Sequence, residues 1–269
     1  VKYALISDIH SNLQALKAAL KVIEVQGVDK IVCLGDIVGY NANPSECVDL
    51  VREKADVVIQ GNHDNMVVTG IPYTGIRPHA RSGLEYSASQ LSDEQSRWLE
   101  ELPKVLTEGE FLAVHGHPSA PFEYMLYHSD AASAIRVLKR NHQYLCFFGH
   151  SHRISHAYTE GDSMKFYLND PKRNNPYRER VIDVSKALKG KEYILLNCGA
   201  VGQPRSHNPN SFGVFDSDKA IVEIIEFEYD YQSAMDAILK ADYEYVENIA
   251  KRLNRFADTL VNRAWSAGD

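Results

Sequence analysis

The chain has 269 residues, 44% of them apolar, and a formal net charge of −7 at pH 7. That balance allows a sizeable core and argues against broad engagement of duplex nucleic acid, which needs many Lys and Arg side chains to neutralise phosphates. No apolar run approaches the ~20 residues needed to span a bilayer, Val1-Lys2-Tyr3 enters a strand-like run without a signal-peptide pattern, and the four cysteines form no Cys-x-x-Cys, so reduced thiols and a cytoplasmic location are expected.

Tyr3-Ala4-Leu5-Ile6 reads as a strand and runs into Ser7-Asp8-Ile9-His10. Asn12 is a suitable N-cap for a helix whose apolar positions Leu13, Leu16, Leu20 and Ile23 recur at spacings of three and four, with Gly27 as the stop. Ile31-Val32-Cys33-Leu34 is a second strand ahead of Gly35-Asp36, and Asn43-Pro44 opens a helix to about residue 54. Val57-Val58-Ile59 leads to Gly61-Asn62-His63-Asp64, and Ser92-Asp93-Glu94-Gln95 is a capping box for a helix ending before Pro103. Phe111-Leu112-Ala113-Val114 precedes His115-Gly116-His117. After a helix at 130–140, Leu145-Cys146-Phe147-Phe148 precedes Gly149-His150-Ser151-His152, and further strands are predicted at 194–196, 212–215 and 220–227.

Two regions stand apart. Residues 169–191 carry Lys172, Arg173, Arg178, Arg180, Lys186, Lys189 and Lys191 among Asn and Pro, and read either as a solvated loop or hairpin or as a basic flap over an anionic ligand. Ile238, Tyr245, Ile249, Leu253, Phe256 and Leu260 form an apolar stripe that predicts one or two amphipathic helices. The expected division is therefore a main domain over 1–230 and a helical extension over 231–269, packed on that domain or used in a dimer contact.

Five of the blocks above place a carboxylate, amide or imidazole beside a small residue at the end of a strand-like run. Ligand-type side chains at neighbouring strand ends converge on one rim of a sheet, where open α/β folds place their ligands. A lone Asp-x-His is weak, but five blocks in this order are specific. The order resembles the calcineurin-like metallophosphoesterase superfamily, whose pattern is Asp-x-His, Gly-Asp, Gly-Asn-His-Asp/Glu, His and Gly-His-x-His. The resemblance spans roughly residues 1–215 and every signature position is filled. Helices early and strands later suggest two mixed sheets packed face to face with helices outside. The resemblance implies the same layout: an α/β (α+β), four-layer αββα sandwich with a binuclear metal site at strand ends.

The resemblance also implies roles. Asp8, His10, Asp36 and His152 would bind one ion, and Asp36, Asn62, His115 and His150 a second, with Asp36 as the bridge. His63 would face substrate as a general acid, with Asp64 holding its loop. Imidazole, carboxylate and amide donors without a thiolate suit Mn, Fe, Zn, Ni or Co, and do not select among them; Mn is the first choice for two divalent ions. The implied activity is a binuclear-metal-dependent phosphoesterase, with small nucleotide-type phosphodiesters as the first substrate choice. Dinucleoside polyphosphates or phosphomonoesters are the alternative. A non-catalytic interaction scaffold, as in the small subunit of retromer, is a different class, but it lacks the catalytic His that this chain keeps at His63. The expected partner is a small phosphorylated substrate, with no extended nucleic acid and no membrane, and the chain is a monomer or homodimer.

One departure narrows the branch. In the Ser/Thr protein phosphatases and symmetrical diadenosine tetraphosphatases the Gly-Asp run ends in Arg-Gly, and that Arg grips phosphate. Here it continues Ile37-Val38-Gly39-Tyr40, so the Arg is missing, and Gly39 stands where the protein phosphatases carry an Asp that orients the His. The small bacterial and archaeal phosphodiesterase branch is the closer match, and residues 197–205 would be its Gly-rich turn that closes the site. Arg205, His117 and Asn62 are the candidate substrate contacts. His79, His128, His142, His156 and His207 are expected in surface or hydrogen-bonded roles.

Overall fold

The computed structural model describes all residues except 73–74, 170–178, 206–207, 242, 245 and 247–269. The first half contains β1 (Lys2–Ile6), α1 (Leu13–Gln26), β2 (Lys30–Cys33), α2 (Pro44–Lys54), β3 (Val57–Val58), α3 (Asn62–Thr69), α4 (Pro78–Gln90), α5 (Asp93–Glu101), β4 (Val105–Glu108), β5 (Phe111–Val114) and α6 (His128–Asn141). The second half contains β6 (Leu145–Phe148), β7 (Ile154–Glu160), β8 (Ser163–Leu168), β9 (Val181–Asp183), α7 (Ser185–Leu188), β10 (Ile194–Cys198), β11 (Ser211–Asp216), β12 (Ile221–Glu226) and α8 (Tyr231–Lys240).

Alternation along the strands builds the layers, because successive side chains leave opposite faces of a sheet. Tyr3 and Leu5 of β1 join Phe111, Phe147, Leu196 and Phe215 in the core between the sheets. Ala4 and Ile6 point the other way, onto Leu16, Ile23, Val48 and Val51 of α1 and α2. On the far side, Leu112, Val114, Cys146 and Phe148 meet Ala131, Ile135 and Leu138 of α6. The sheets run β3-β2-β1-β11-β12-β9 and β4-β5-β6-β10-β7-β8, and each mixes parallel with antiparallel pairs. This is the four-layer αββα sandwich expected.

Local signals set several element ends. Asn12 accepts from Ala15 N–H at 3.1 Å, and Gly27 closes α1 in the left-handed region. Ser92 and Gln95 cap α5 reciprocally. The helix predicted at 130–140 begins two residues earlier because Asp130 accepts from the N–H groups of Leu126 and Tyr127. Helices α3 and α4 and the β7–β8 hairpin were not expected.

In α8, Ala234 and Ile238 bury against Ala42, while Tyr243 donates to the Tyr40 carbonyl and Ser82 to that of Glu244. Tyr245, Ile249, Leu253, Phe256 and Leu260 of the predicted stripe lie outside the described residues, as do Lys172, Arg173, Arg178 and His207. Of the basic segment, Arg180 pairs with Glu226 and Lys186 with Glu192. No helix among the described residues is long and apolar enough to cross a membrane.

Candidate metal centre

Strands β1, β2 and β3 of one sheet and β5 and β6 of the other are parallel within their sheets, and Asp8, Asp36, Asn62, His115 and His150 follow their carboxyl ends. The loops beyond are tightly laced: Asp8 N–H donates to Gly35 O, His10 N–H to Asp36 O and Gly149 N–H to His115 O. Asp8, His10, Asp36, His150 and His152 all have positive φ, between 50° and 63°. Left-handed backbone at a residue other than Gly costs about 1–3 kcal/mol and concentrates at functional sites.

Those turns gather two clusters. Asp8, His10, Asp36 and His152 bring ligand-type atoms within 4.8 Å of one another, as do Asp36, His115 and His150, and all are buried. Asp36 belongs to both. Its Oδ2 is 3.4 Å from His10 Nε2 and 3.2 Å from His115 Nε2, while Asn62 Oδ1 is 3.2 Å from His115 Nε2. The structure thus brings all seven ligand candidates together.

The donor atoms fit cations. Nδ1 of His10, His115 and His152 faces the carbonyls of Val38, Leu34 and Gln203 and therefore carries the proton it donates, so Nε2 of His10 and His152 presents a lone pair inward, and Nε2 of His115 does so once its own proton is displaced. The Nε2 atoms of His10 and His152 are 3.2 Å apart, an approach of two lone pairs that a cation relieves. Among the described residues, Asp8 Oδ1 and His150 Nε2 are buried without a hydrogen-bond partner, and Asp36 Oδ2 meets only imidazole nitrogens. Buried polar atoms of this kind call for a metal or a proton.

Protonation follows from burial and neighbours. Burial pushes Asp8 up to about 7. Burial opposes charge on His115, yet the Asp36 carboxylate outweighs it and lifts His115 to about 9. Burial also opposes charge on Asp36, but His115 and His63 hold its carboxyl well below the usual range. Metal must displace the bound protons, so affinity falls as pH falls from 9 through 7. Calorimetric titration of the stripped protein with Mn(II), in buffers of different ionisation enthalpy, should show about one proton released at pH 8 and about two at pH 6. No release at either pH would place the metal elsewhere.

His63 is buried beside this centre. Its backbone N–H donates to Asp36 Oδ1 at 2.8 Å and burial lowers its pKa to about 4, so the ring is neutral at pH 7. Gly39 lies against Nδ1, with φ +93°, and a Cβ added there would overlap that nitrogen. Nε2 is therefore the nitrogen left for the cleft. Gly39→Ala should displace the ring and lower turnover by about 10²-fold, the scale of a 1 Å misplacement, with metal content retained; kinetics and elemental analysis check this.

Asp64 fastens these loops. Its carboxylate accepts from the N–H groups of Asp36, Ile37, Val38 and Gly61 at 2.8–3.1 Å, joining the Gly-Asp turn to the start of α3. The 197–205 turn closes the other side: Val201 and Gly202 N–H donate to Ser7 O and Asp8 O, and Arg205 N–H to His152 O.

The centre opens into a cleft of about 920 Å³, lined among others by Asn62, His63, Met66, Ile76, His79, Phe122, Tyr124, His150 and Arg205. The guanidinium of Arg205 spans it, 3.3 Å from the Tyr124 hydroxyl and 3.5 Å from that of Tyr40. Tyr124 stacks on His150 with ring centroids 3.8 Å apart. Sequence reasoning missed Tyr124, because a tyrosine in a Pro-rich loop carries no signal of its own.

His117, a candidate substrate contact, sits apart from the other site residues. It lies outside both clusters and does not line the cleft; its Nδ1 meets Ser119 Oγ at 3.0 Å within a turn whose His117 N–H donates to Glu123 O. His156, expected in a surface or hydrogen-bonded role, is buried in β7 beside Tyr158. His142 caps α6 in the left-handed region, and His79 reaches the cleft wall.

A buried pair of Asp/His clusters at the carboxyl rim of an αββα sandwich, facing an open cleft, is suited to hold divalent ions, and with the family match it marks a metal-dependent hydrolase of phosphoric esters. The family model of the calcineurin-like phosphoesterase superfamily domain matches residues 1–220, and the chain belongs to that family. It is 33% identical over 250 residues to an uncharacterized protein of Methanocaldococcus jannaschii, covering 88% of this chain and 91% of the relative. A metallophosphoesterase structure from Sphaerobacter thermophilus has a TM-score of 0.77 at 31% identity, covering 95% of this chain and 99% of that one. A hypothetical protein of Pyrococcus horikoshii shares the fold, with a TM-score of 0.68 at 23% identity over 93% of this chain and 97% of the other.

Proposed function

We propose that the cleft hydrolyses small nucleotide-type phosphodiesters. The observation that carries this reading is the convergence of two clusters on one shared carboxylate, with His63 and Arg205 facing the same cleft. Asp8, His10, Asp36 and His152 would hold one divalent ion, and Asp36, Asn62, His115 and His150 the other, with Mn as first choice. Bound there, the pair supplies the charge that activates water and neutralises phosphoryl oxygens during in-line displacement.

The chain's own side chains do the rest. His63 would face the leaving oxygen through Nε2, stabilising charge there by a hydrogen bond from the neutral ring and acting as general acid once the ring is protonated. Arg205 offers a planar fork to phosphoryl oxygens. Met66, Ile76, His79, Phe122 and Tyr124 all line the cleft, whose volume of about 920 Å³ leaves room for more than a lone phosphoryl group. That favours a diester over a monoester, and aromatic walls suit a nucleobase. His117 is left out of the substrate contacts.

Two further assignments belong to this reading. The catalytic domain covers 1–230, with residues 231–269 as an extension. The location is the cytoplasm, in keeping with four buried cysteines whose thiols burial pushes up.

Metal-stripped protein reconstituted with Mn(II) should hydrolyse a chromogenic phosphodiester faster than the matching monoester. A faster monoester reaction would make the protein a monoesterase. No turnover of either, with two metals bound, would favour the interaction scaffold.

A further inference from the structure

Tyr40 sits where four parts of the molecule meet. Its ring centroid is 4.9 Å from that of His63, tilted by 31°, and 4.8 Å from that of His10, nearly edge-on at 83°. Its hydroxyl is 3.5 Å from Arg205 Nη2, and the other arm of that guanidinium is 3.3 Å from the Tyr124 hydroxyl. Its backbone is pinned as well. The carbonyl accepts from the Tyr243 hydroxyl, and Gly83 of α4 lies so close that a Cβ there would be 2.6 Å from Tyr40 N. The residue is buried and has φ of 62°.

A side chain fixed at both ends, with its flat face toward one group and its polar tip toward another, sets the orientation of both. His63 needs such a neighbour, because Gly39 brings no side chain to its Nδ1. Arg205 needs one because an arginine has many rotamers, and a fork aimed in advance loses less freedom on meeting phosphate.

We propose that Tyr40 is the positioning residue of this site: its ring holds the plane of His63 and its hydroxyl aims Arg205, so one side chain aligns the proton donor with the phosphate grip. The inference rests on the phosphoesterase reading above and adds a residue to it.

The two halves of Tyr40 separate by substitution. In Tyr40→Phe the ring stays and the hydroxyl goes, so the loss falls on KM for the diester and on Kd for inorganic phosphate, about five-fold each, the worth of one hydrogen bond. In Tyr40→Leu the aromatic face goes too, and kcat falls a further 10–100-fold or so through misalignment of His63. Metal content by elemental analysis stays at the wild-type value in both.

In an Arg205→Ala background, Tyr40→Phe should not weaken phosphate binding further, because its hydroxyl acts only through the guanidinium. Additive losses in that cycle, or equal falls in kcat for Phe and Leu, overturn the proposal. Phosphate binding to the Mn-loaded protein, measured by calorimetry, needs no turnover. If the wild-type protein hydrolyses no phosphate ester, the activity reading fails while the phosphate cycle still decides the role of Tyr40.

Discussion

His63→Ala is expected to lower turnover by about 10²–10⁴-fold, the usual worth of general acid help, while the protein keeps its metals. The retention has a structural basis. The hydrogen bond from His63 to Asp36 comes from its backbone N–H, at 2.8 Å from Oδ1, and alanine preserves that donor. The imidazole itself is absent from both clusters and lines the cleft. Steady-state kinetics beside elemental analysis checks both halves, and a variant with full activity would remove His63 from the mechanism.

Asp36→Asn should act on the opposite property. Oδ2 is the atom both clusters share, and Oδ1 accepts the His63 N–H, so an amide loses the charge and places an NH₂ where donors already point. Partners that merely orient ligands cost roughly 10–100-fold in metal affinity when removed, and a shared ligand should cost more. Metal analysis of the variant should show at least one equivalent lost, and turnover should follow it down. Unchanged metal content would count against the bridge.

The candidate site was largely legible in the sequence for a chemical reason. Asp8, His10, Asp36, Asn62, His115, His150 and His152 are ligand types set beside Gly or Ser after apolar runs, and no packing role demands that combination five times. Helix α1 was legible through its stripe and caps. Helix α3 was not, because it begins on Asn62 itself and spans only eight residues. Helix α4 is polar and carries Gly83 mid-run, which weakens any periodic signal. The β7–β8 hairpin had a usable signal in the alternation of Met164, Phe166 and Leu168 after the Gly161-Asp162 turn. Tyr40 was legible only as a departure; its contacts with His63 and Arg205 depend on residues up to 165 positions away, which no local pattern records.

Each cluster draws on both sheets. Asp8, His10, Asp36 and Asn62 ride on the β1–β2–β3 side, while His115, His150 and His152 follow β5 and β6 of the other sheet. A cation bound at either cluster would therefore act as a rivet through the seam of the sandwich, beside the cleft. The atoms that would serve catalysis would also tie one sheet to the other, so removing the ions should cost thermal stability as well as turnover.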